Sequence, residues 1–164
     1  SQLGNMVADY LEAQHRAGAD AVQIFDTWAG IMPAHEYRRY NLPVLKEIFS
    51  RLKARGIPTT YYAKESGHLL AEIAELGCDV VSLDWKTPLN QAASKLDRTK
   101  ILQGNLDPTV LFGNEATIRS EARRVIAEAD GSGGHIFNLG HGILQNTPIS
   151  SVEILIDEVR RTVQ

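Results

Sequence analysis

The sequence predicts a parallel α/β protein, a leading helix followed by five strand–helix units. Short apolar runs alternate along the chain with segments in which apolar residues return every three or four positions, the periods of strand and helix. Each apolar run also stops abruptly at polar or glycine residues before the helical pattern begins. Crossovers between parallel strands are right-handed almost without exception, so such units join into an open flavodoxin-like sheet or an arc of a barrel. In both, the carboxyl ends of the strands share one side of the sheet, where function belongs.

Leu3, Met6, Val7, Tyr10, Leu11 and Gln14 follow the i, i+3, i+4, i+7 rhythm of an opening helix that Gly18 ends. The first strand, Ala21 to Phe25, runs into Asp26-Thr27-Trp28-Ala29-Gly30. A short helical turn around Ala34 to Tyr40 is then interrupted by Pro43, which opens a second helix with Leu45, Ile48, Phe49 and Leu52 on its inner face. Gly56 and Pro58 stop it. The second strand, Thr60 to Ala63, ends in Lys64-Glu65-Ser66-Gly67-His68, and Ser66 caps a helix carrying Leu69, Leu70, Ile73 and Leu76 that Gly77 closes.

The third strand, Val80 to Leu83, meets Asp84-Trp85-Lys86-Thr87-Pro88, and a shorter helix covers Leu89 to Leu96. The fourth, Ile101-Leu102, meets Gln103-Gly104-Asn105-Leu106-Asp107-Pro108. Ile118, Ala122, Val125, Ile126 and Ala129 form the next helical face, and Gly131 to Gly134 make a flexible return. The last strand ends in Asn138-Leu139-Gly140-His141-Gly142. Ser150 and Glu153 read as a capping box for a final helix that buries Val152, Leu155, Ile156, Val159 and Val163.

With 164 residues and 43% hydrophobic content, the chain can bury the core of about one domain, and no linker or sequence repeat suggests a second. A net charge of -3 without clustered Lys and Arg argues against nucleic-acid binding. Cys78 is the only cysteine, which excludes an intrachain disulfide framework and a multi-cysteine zinc site and gives it a packing role. No apolar run approaches membrane-spanning length, and Asn5, Asp9 and Glu12 stand where a signal peptide would be apolar; the chain is expected to be cytoplasmic.

Several side chains at the strand ends are candidates for chemistry. His141, between two glycines, has little cover and can face a ligand while nearby N–H groups point at an anion; the alternative is a surface loop whose glycines serve the turn. Thr27 can donate to a carboxylate and Trp28 can wall off a flat ligand, but Asp26 capping the short helix and Trp28 in the core is the preferred structural account of those two. Asp84, Trp85, Asn105 and Asp107 read as structural support. Lys64 and His68 offer positive charge to an acidic ligand, or Lys64 and Glu65 form a solvated pair. A P-loop, a dinucleotide glycine fingerprint, a nucleophile elbow and metal-binding His/Cys spacing are all missing from the sequence. His135 and His141, six apart across a strand, do not form a zinc-helix pair.

Four segments in order, Gln23-Ile24-Phe25-Asp26-Thr27-Trp28-Ala29-Gly30, Leu83-Asp84-Trp85, Gln103-Gly104-Asn105-Leu106-Asp107-Pro108 and His135-Ile136-Phe137-Asn138-Leu139-Gly140-His141-Gly142-Ile143, resemble uroporphyrinogen decarboxylase. The resemblance implies a partial (β/α)8 TIM barrel whose five strands correspond to the fourth through the eighth. It also implies an enzyme that removes the carboxyl groups of the four acetate side chains of uroporphyrinogen III, giving coproporphyrinogen III, with no metal or organic cofactor. Thr27 matches a Ser/Thr position that contacts substrate and His141 a histidine that binds it near the reacting ring. Asp26, Trp28, Lys64, Asp84, Asn105, Asn138 and Gly140 are supporting positions. Gln145-Asn146-Thr147-Pro148 departs from the common Pro-Asp-Thr-Pro.

By the same resemblance, the family's arginine-bearing loop, its essential aspartate and a substrate-contacting tyrosine belong to the half not matched here, so the chain alone is expected to be inactive. It is expected to self-associate or to pair with that half, since open edges near Ala21 and Ile136 invite another strand. A non-catalytic interaction module is the alternative. A corrinoid-linked methyltransferase is a weaker one, because Tyr62-Ala63-Lys64 stands where its zinc-binding His-x-Cys pair belongs, and a flavodoxin-like flavin binder is weaker still because no flavin loop is present.

Overall fold

The five apolar runs are strands in the computed structural model, which describes residues 1–96, 98 and 100–162. The chain divides into two units, Ser1–Ser82 and Leu83–Gln164.

The first unit runs α1 (Gln2–Arg16), β1 (Val22–Asp26), a 3-10 turn (Ala29–Ile31), α2 (Ala34–Lys53), β2 (Thr59–Ala63), α3 (Leu70–Ala74) and β3 (Val80–Ser82). β1 pairs in parallel with β2, from Val22 opposite Thr59 to Asp26 opposite Ala63, and β2 pairs in parallel with β3. β2 and β3 are buried at every residue, whereas β1 buries only Val22. Helices cover one face of this parallel sheet, and Phe49 of α2 meets Tyr61 of β2 edge-on with ring centroids 6.0 Å apart.

Three helical expectations need correction here. α1 buries Gly4, Ala8, Leu11 and Glu12, while Leu3, Met6 and Tyr10 are exposed. The small residues let α1 press on α2, since a Cβ at Gly4 would stand 2.7 Å from Val44 Cγ1. Arg51 then ties the two helices together by donating to Asp9 and to Glu12 at 2.6 Å. α2 is one helix with Pro43 inside it, not two. Proline removes one N–H from the ladder, and a face of Tyr37, Leu42, Leu45, Ile48, Phe49 and Leu52 buried on both sides of it outweighs that loss. Ser66 does not cap α3; its hydroxyl donates to Ala63 O at 2.7 Å, and α3 starts later. Leu69, Leu70, Ile73 and Leu76 are buried as expected, and so is Cys78.

The second unit runs α4 (Leu89–Lys95), β4 (Ile101–Leu106), a 3-10 turn (Pro108–Phe112), α5 (Glu115–Glu128), β5 (Gly134–Leu139) and α6 (Ile149–Thr162). β4 and β5 are parallel, from Ile101 opposite Gly134 to Leu106 opposite Leu139. β4 reaches four residues further than its apolar pair suggested, because Gln103-Gly104-Asn105-Leu106 continue the strand. Asp107 caps the 3-10 turn through Thr109 N–H at 2.9 Å. Ile118, Ala122, Val125 and Ala129 are buried, and Arg119 and Arg123 clamp α5 to Glu158 of α6 at 2.8 and 2.5 Å.

α6 begins at Ile149, so Ser150 lies inside its first turn instead of at the cap, and Ser151 N–H bonds Pro148 O at 3.1 Å. Leu155 is buried, Val152 and Val159 are half-buried, and Ile156 is exposed, contrary to expectation; Val163 lies outside the described residues. Among the described residues no helix is long and apolar enough to cross a membrane.

Candidate functional site

In the first unit the end of β1 carries the candidates. Asp26 Oδ2 accepts from the Tyr61 hydroxyl at 3.1 Å and from Asn41 Nδ2 at 3.4 Å, and Tyr61 in turn accepts from the Tyr37 hydroxyl at 2.9 Å. Both tyrosines are fully buried, and burial pushes both phenols above their ordinary pKa. Asp26 therefore anchors β1 to β2 and α2 and does not cap the 3-10 turn, whose cap position is Trp28 with no side-chain bond.

Trp28 is not in the core either: it is 73% exposed, and Phe25 is 71% exposed. Phe25 packs its ring on Tyr62 at 5.9 Å. Thr27 stands exposed between these two aromatic side chains in the sequence. The loops after β1 and β2 are locked together, since a Cβ at Gly30 would lie 2.0 Å from Lys64 O and the His68 ring bonds Met32 O at 2.8 Å. Lys64 is half-buried there.

In the second unit the polar residues at the strand ends form one cluster. The Asn105 amide donates to Asp84 O at 2.9 Å and to Thr87 O at 2.6 Å, and the buried Asp84 carboxylate accepts from Lys86 N–H at 2.9 Å. Asp84 and Asn105 thus tie the segment after β3 to β4. Gly140 packs on the same backbone, where a Cβ would stand 2.6 Å from Trp85 N, and its N–H donates to Leu106 O at 2.8 Å. The next residue, His141, is exposed, with the Trp85 ring edge-on at 6.5 Å. Its Nδ1 accepts from Gly142 N–H at 2.7 Å. That bond places the proton of the neutral ring on Nε2, leaving an outward donor. Asn138 is used differently: its Oδ1 accepts the N–H of Leu139 at 2.8 Å.

Tyr37, Asn41 and Tyr61 are the residues that sequence reasoning missed. Two tyrosines in the second strand promised buried hydroxyls in need of partners. The partner of Tyr61 on β1, Asp26, lies 35 residues away and has no local signature.

Parallel βα units with polar side chains at the carboxyl ends of their strands define a protein of the partial TIM-barrel-like class. A methyltransferase from Methanosarcina mazei has the same fold, with a TM-score of 0.84 at 22% identity over 98% of this chain and 48% of its own. The sequence model of the family "Uroporphyrinogen decarboxylase (URO-D)" matches residues 1–162, and the chain belongs to that family. The uroporphyrinogen decarboxylase of Rhodococcus opacus is 42% identical over 96% of this chain and 46% of its own length. That of Syntrophotalea carbinolica is 46% identical over 94% of this chain and 45% of its own. The chain thus spans about half the length of the curated relatives it matches.

Proposed function

We propose that the chain carries the Thr27 and His141 share of a cytoplasmic uroporphyrinogen decarboxylase site. The observation that carries this reading is His141 itself, held exposed after β5 with Nδ1 occupied and Nε2–H free to donate to a substrate carboxylate. Thr27 supplies a hydroxyl for a second carboxylate, and the exposed rings of Phe25 and Trp28 suit the pyrrole rings of a guest bearing acidic arms. The substrate is its own electron sink. Protonation of a pyrrole carbon makes a cation, the C–C bond to the acetate carboxylate breaks into it, carbon dioxide leaves, a proton adds to the exocyclic methylene to complete the methyl group, and the ring carbon gives up the proton it gained as the pyrrole is restored. Thr27 and His141 position the carboxylates for that step, while Asp26, Asp84, Asn105 and Gly140 hold the backbone from which they project.

By family resemblance, the arginine loop and the essential aspartate come from the half not matched by this chain. Decarboxylation is therefore a property of the two halves together, and the chain alone is a folded, inactive module. Uroporphyrinogen is incubated with the chain, with a separately expressed N-terminal half of a relative, and with both, and coproporphyrinogen is followed by chromatography. Turnover only in the mixture is the expected result; turnover by the chain alone overturns the division of labour. In the mixture, Thr27→Ala and His141→Ala each lower kcat/KM by about 10- to 100-fold, the size of a lost hydrogen bond to a charged group. Full activity in either variant removes that residue from the site.

A further inference from the structure

Along β5 the side chains alternate, with Ile136 and Asn138 exposed and His135, Phe137 and Leu139 half-buried. Asn138 stands opposite Asn105 of β4 in the parallel register, and residues paired in this way project from the same face of a sheet. Asn105 is buried, with its amide committed to Asp84 O and Thr87 O. Asn138 is the exposed amide of the pair.

The orientation of that amide is fixed by the neighbouring backbone. A backbone N–H only donates, so the side-chain atom 2.8 Å from Leu139 N is the carbonyl oxygen Oδ1. The Nδ2 group, with its two protons, points away from this bond, and among the described residues nothing accepts from it. His141 is held in the same manner: Nδ1 accepts from Gly142 N–H at 2.7 Å and the Nε2 proton faces outward. Three residues of backbone reach no further than about 11 Å, and Gly140 between the two is pinned to Leu106 O at 2.8 Å. Two oriented, uncommitted donors therefore stand within reach of one guest molecule.

We propose, building on the decarboxylase reading and dependent on it, that Asn138 is a further substrate-binding residue whose Nδ2–H donates to a carboxylate arm of the tetrapyrrole beside the arm that His141 takes. A carboxylate is an acceptor with about four lone-pair sites, and N–H donors directed at it form the stronger, charge-assisted class of hydrogen bond. Asn138 brings such a donor without a charge of its own. Its bond to Leu139 N–H holds the amide in place before a ligand arrives, which lowers the entropy cost of binding. A guest with several acidic arms can engage both donors at once, which a guest with one arm cannot.

Asn138→Asp separates binding from support. An aspartate keeps the oxygen that accepts Leu139 N–H and replaces the outward donor by a second oxygen, which repels a carboxylate; Asn138→Ala removes both groups. The probes are uroporphyrin, the oxidised ring with the same acidic arms, added to the chain while tryptophan fluorescence is followed, and uroporphyrinogen turned over in the mixture with the N-terminal half. Alanine is expected to raise Kd and KM about tenfold and aspartate about 100-fold, with little change in kcat. A purely structural Asn138 gives the reverse order, with aspartate like wild type and alanine impaired, and that order overturns the proposal. Circular dichroism checks folding, and Asn138→Ala, which adds no charge, decides the matter if the aspartate variant unfolds. Where His141→Ala weakens binding and a folded Asn138→Asp does not, the assignment of Asn138 falls and the decarboxylase reading stands. Binding indifferent to both substitutions, or a wild-type chain that neither binds uroporphyrin nor supports turnover, removes the two together.

Discussion

The Tyr61 hydroxyl reaches across from β2 to Asp26 at the end of β1, 3.1 Å away, and it does so while accepting a bond from Tyr37. A carboxylate only accepts, so the direction of the whole chain is set: Tyr37 to Tyr61 to Asp26. The residue following Asp26 is Thr27, so a buried polar chain stiffens the backbone beneath a proposed substrate contact.

Tyr61→Phe removes the central hydroxyl and strands the Tyr37 O–H in the core. A loss of about 1–3 kcal/mol in urea unfolding is expected, the usual cost of a buried polar group without its partner. Tyr37→Phe leaves no stranded donor and costs less. Equal midpoints for wild type and Tyr61→Phe would refute the chain.

Alkaline pH tests the same pair. Burial raises both phenols above their ordinary value of 10.0, so the folded state keeps protons that the unfolded state releases. Stability is full below about pH 10 and falls as pH rises beyond it. Chemical denaturation at successive pH values gives the slope, which Tyr37→Phe makes shallower.

The acid limb has one share from α1 and α2, where Arg51 holds Glu12 below its ordinary pKa, and another from α5 and α6. Glu158 is held below its ordinary 4.5 chiefly by its bond with Arg119. Its contribution is present above about pH 4.5 and is lost as pH falls through the lowered folded value. Glu158→Gln makes that limb shallower in a pH series of thermal unfolding and leaves the alkaline limb unchanged.

Gly140 and Gly142 flank the same histidine and respond differently to alanine. At Gly140 the added methyl meets Trp85 N at 2.6 Å, a backbone atom that cannot turn aside, whereas at Gly142 nothing lies within 4 Å. Overpacking costs about 1–3 kcal/mol, so Gly140→Ala is strongly destabilised and Gly142→Ala stays within about 0.5 kcal/mol. Thermal melts of the two variants give the comparison directly.

Alternation of apolar runs and helical faces made the parallel βα order legible, because β2 and β3 are buried at every residue and their centres, Tyr61-Tyr62-Ala63 and Val80-Val81, read as apolar runs. Legibility failed where tertiary contacts override local preference. Pro43 looked like a boundary, but the buried stripe on either side keeps α2 whole. Leu3, Met6 and Ile156 had the right period for burial and are exposed, since period identifies an apolar face without supplying the polypeptide that covers it. At the candidate site, the hydrogen bonding of Asp84 and Asn105 was readable because buried polar groups need partners. The roles of Asp26 and Trp28 were not, because Asp26 is claimed by the Tyr61 hydroxyl and the Asn41 amide, both distant in sequence, and Trp28 is mostly exposed.

With Gly30 seated against the Lys64 carbonyl, and His68 bonded to Met32, the loops after β1 and β2 are packed directly on one another. Any larger residue at position 30 would have to prise the two loops apart, and the turn that carries Thr27 would shift with them.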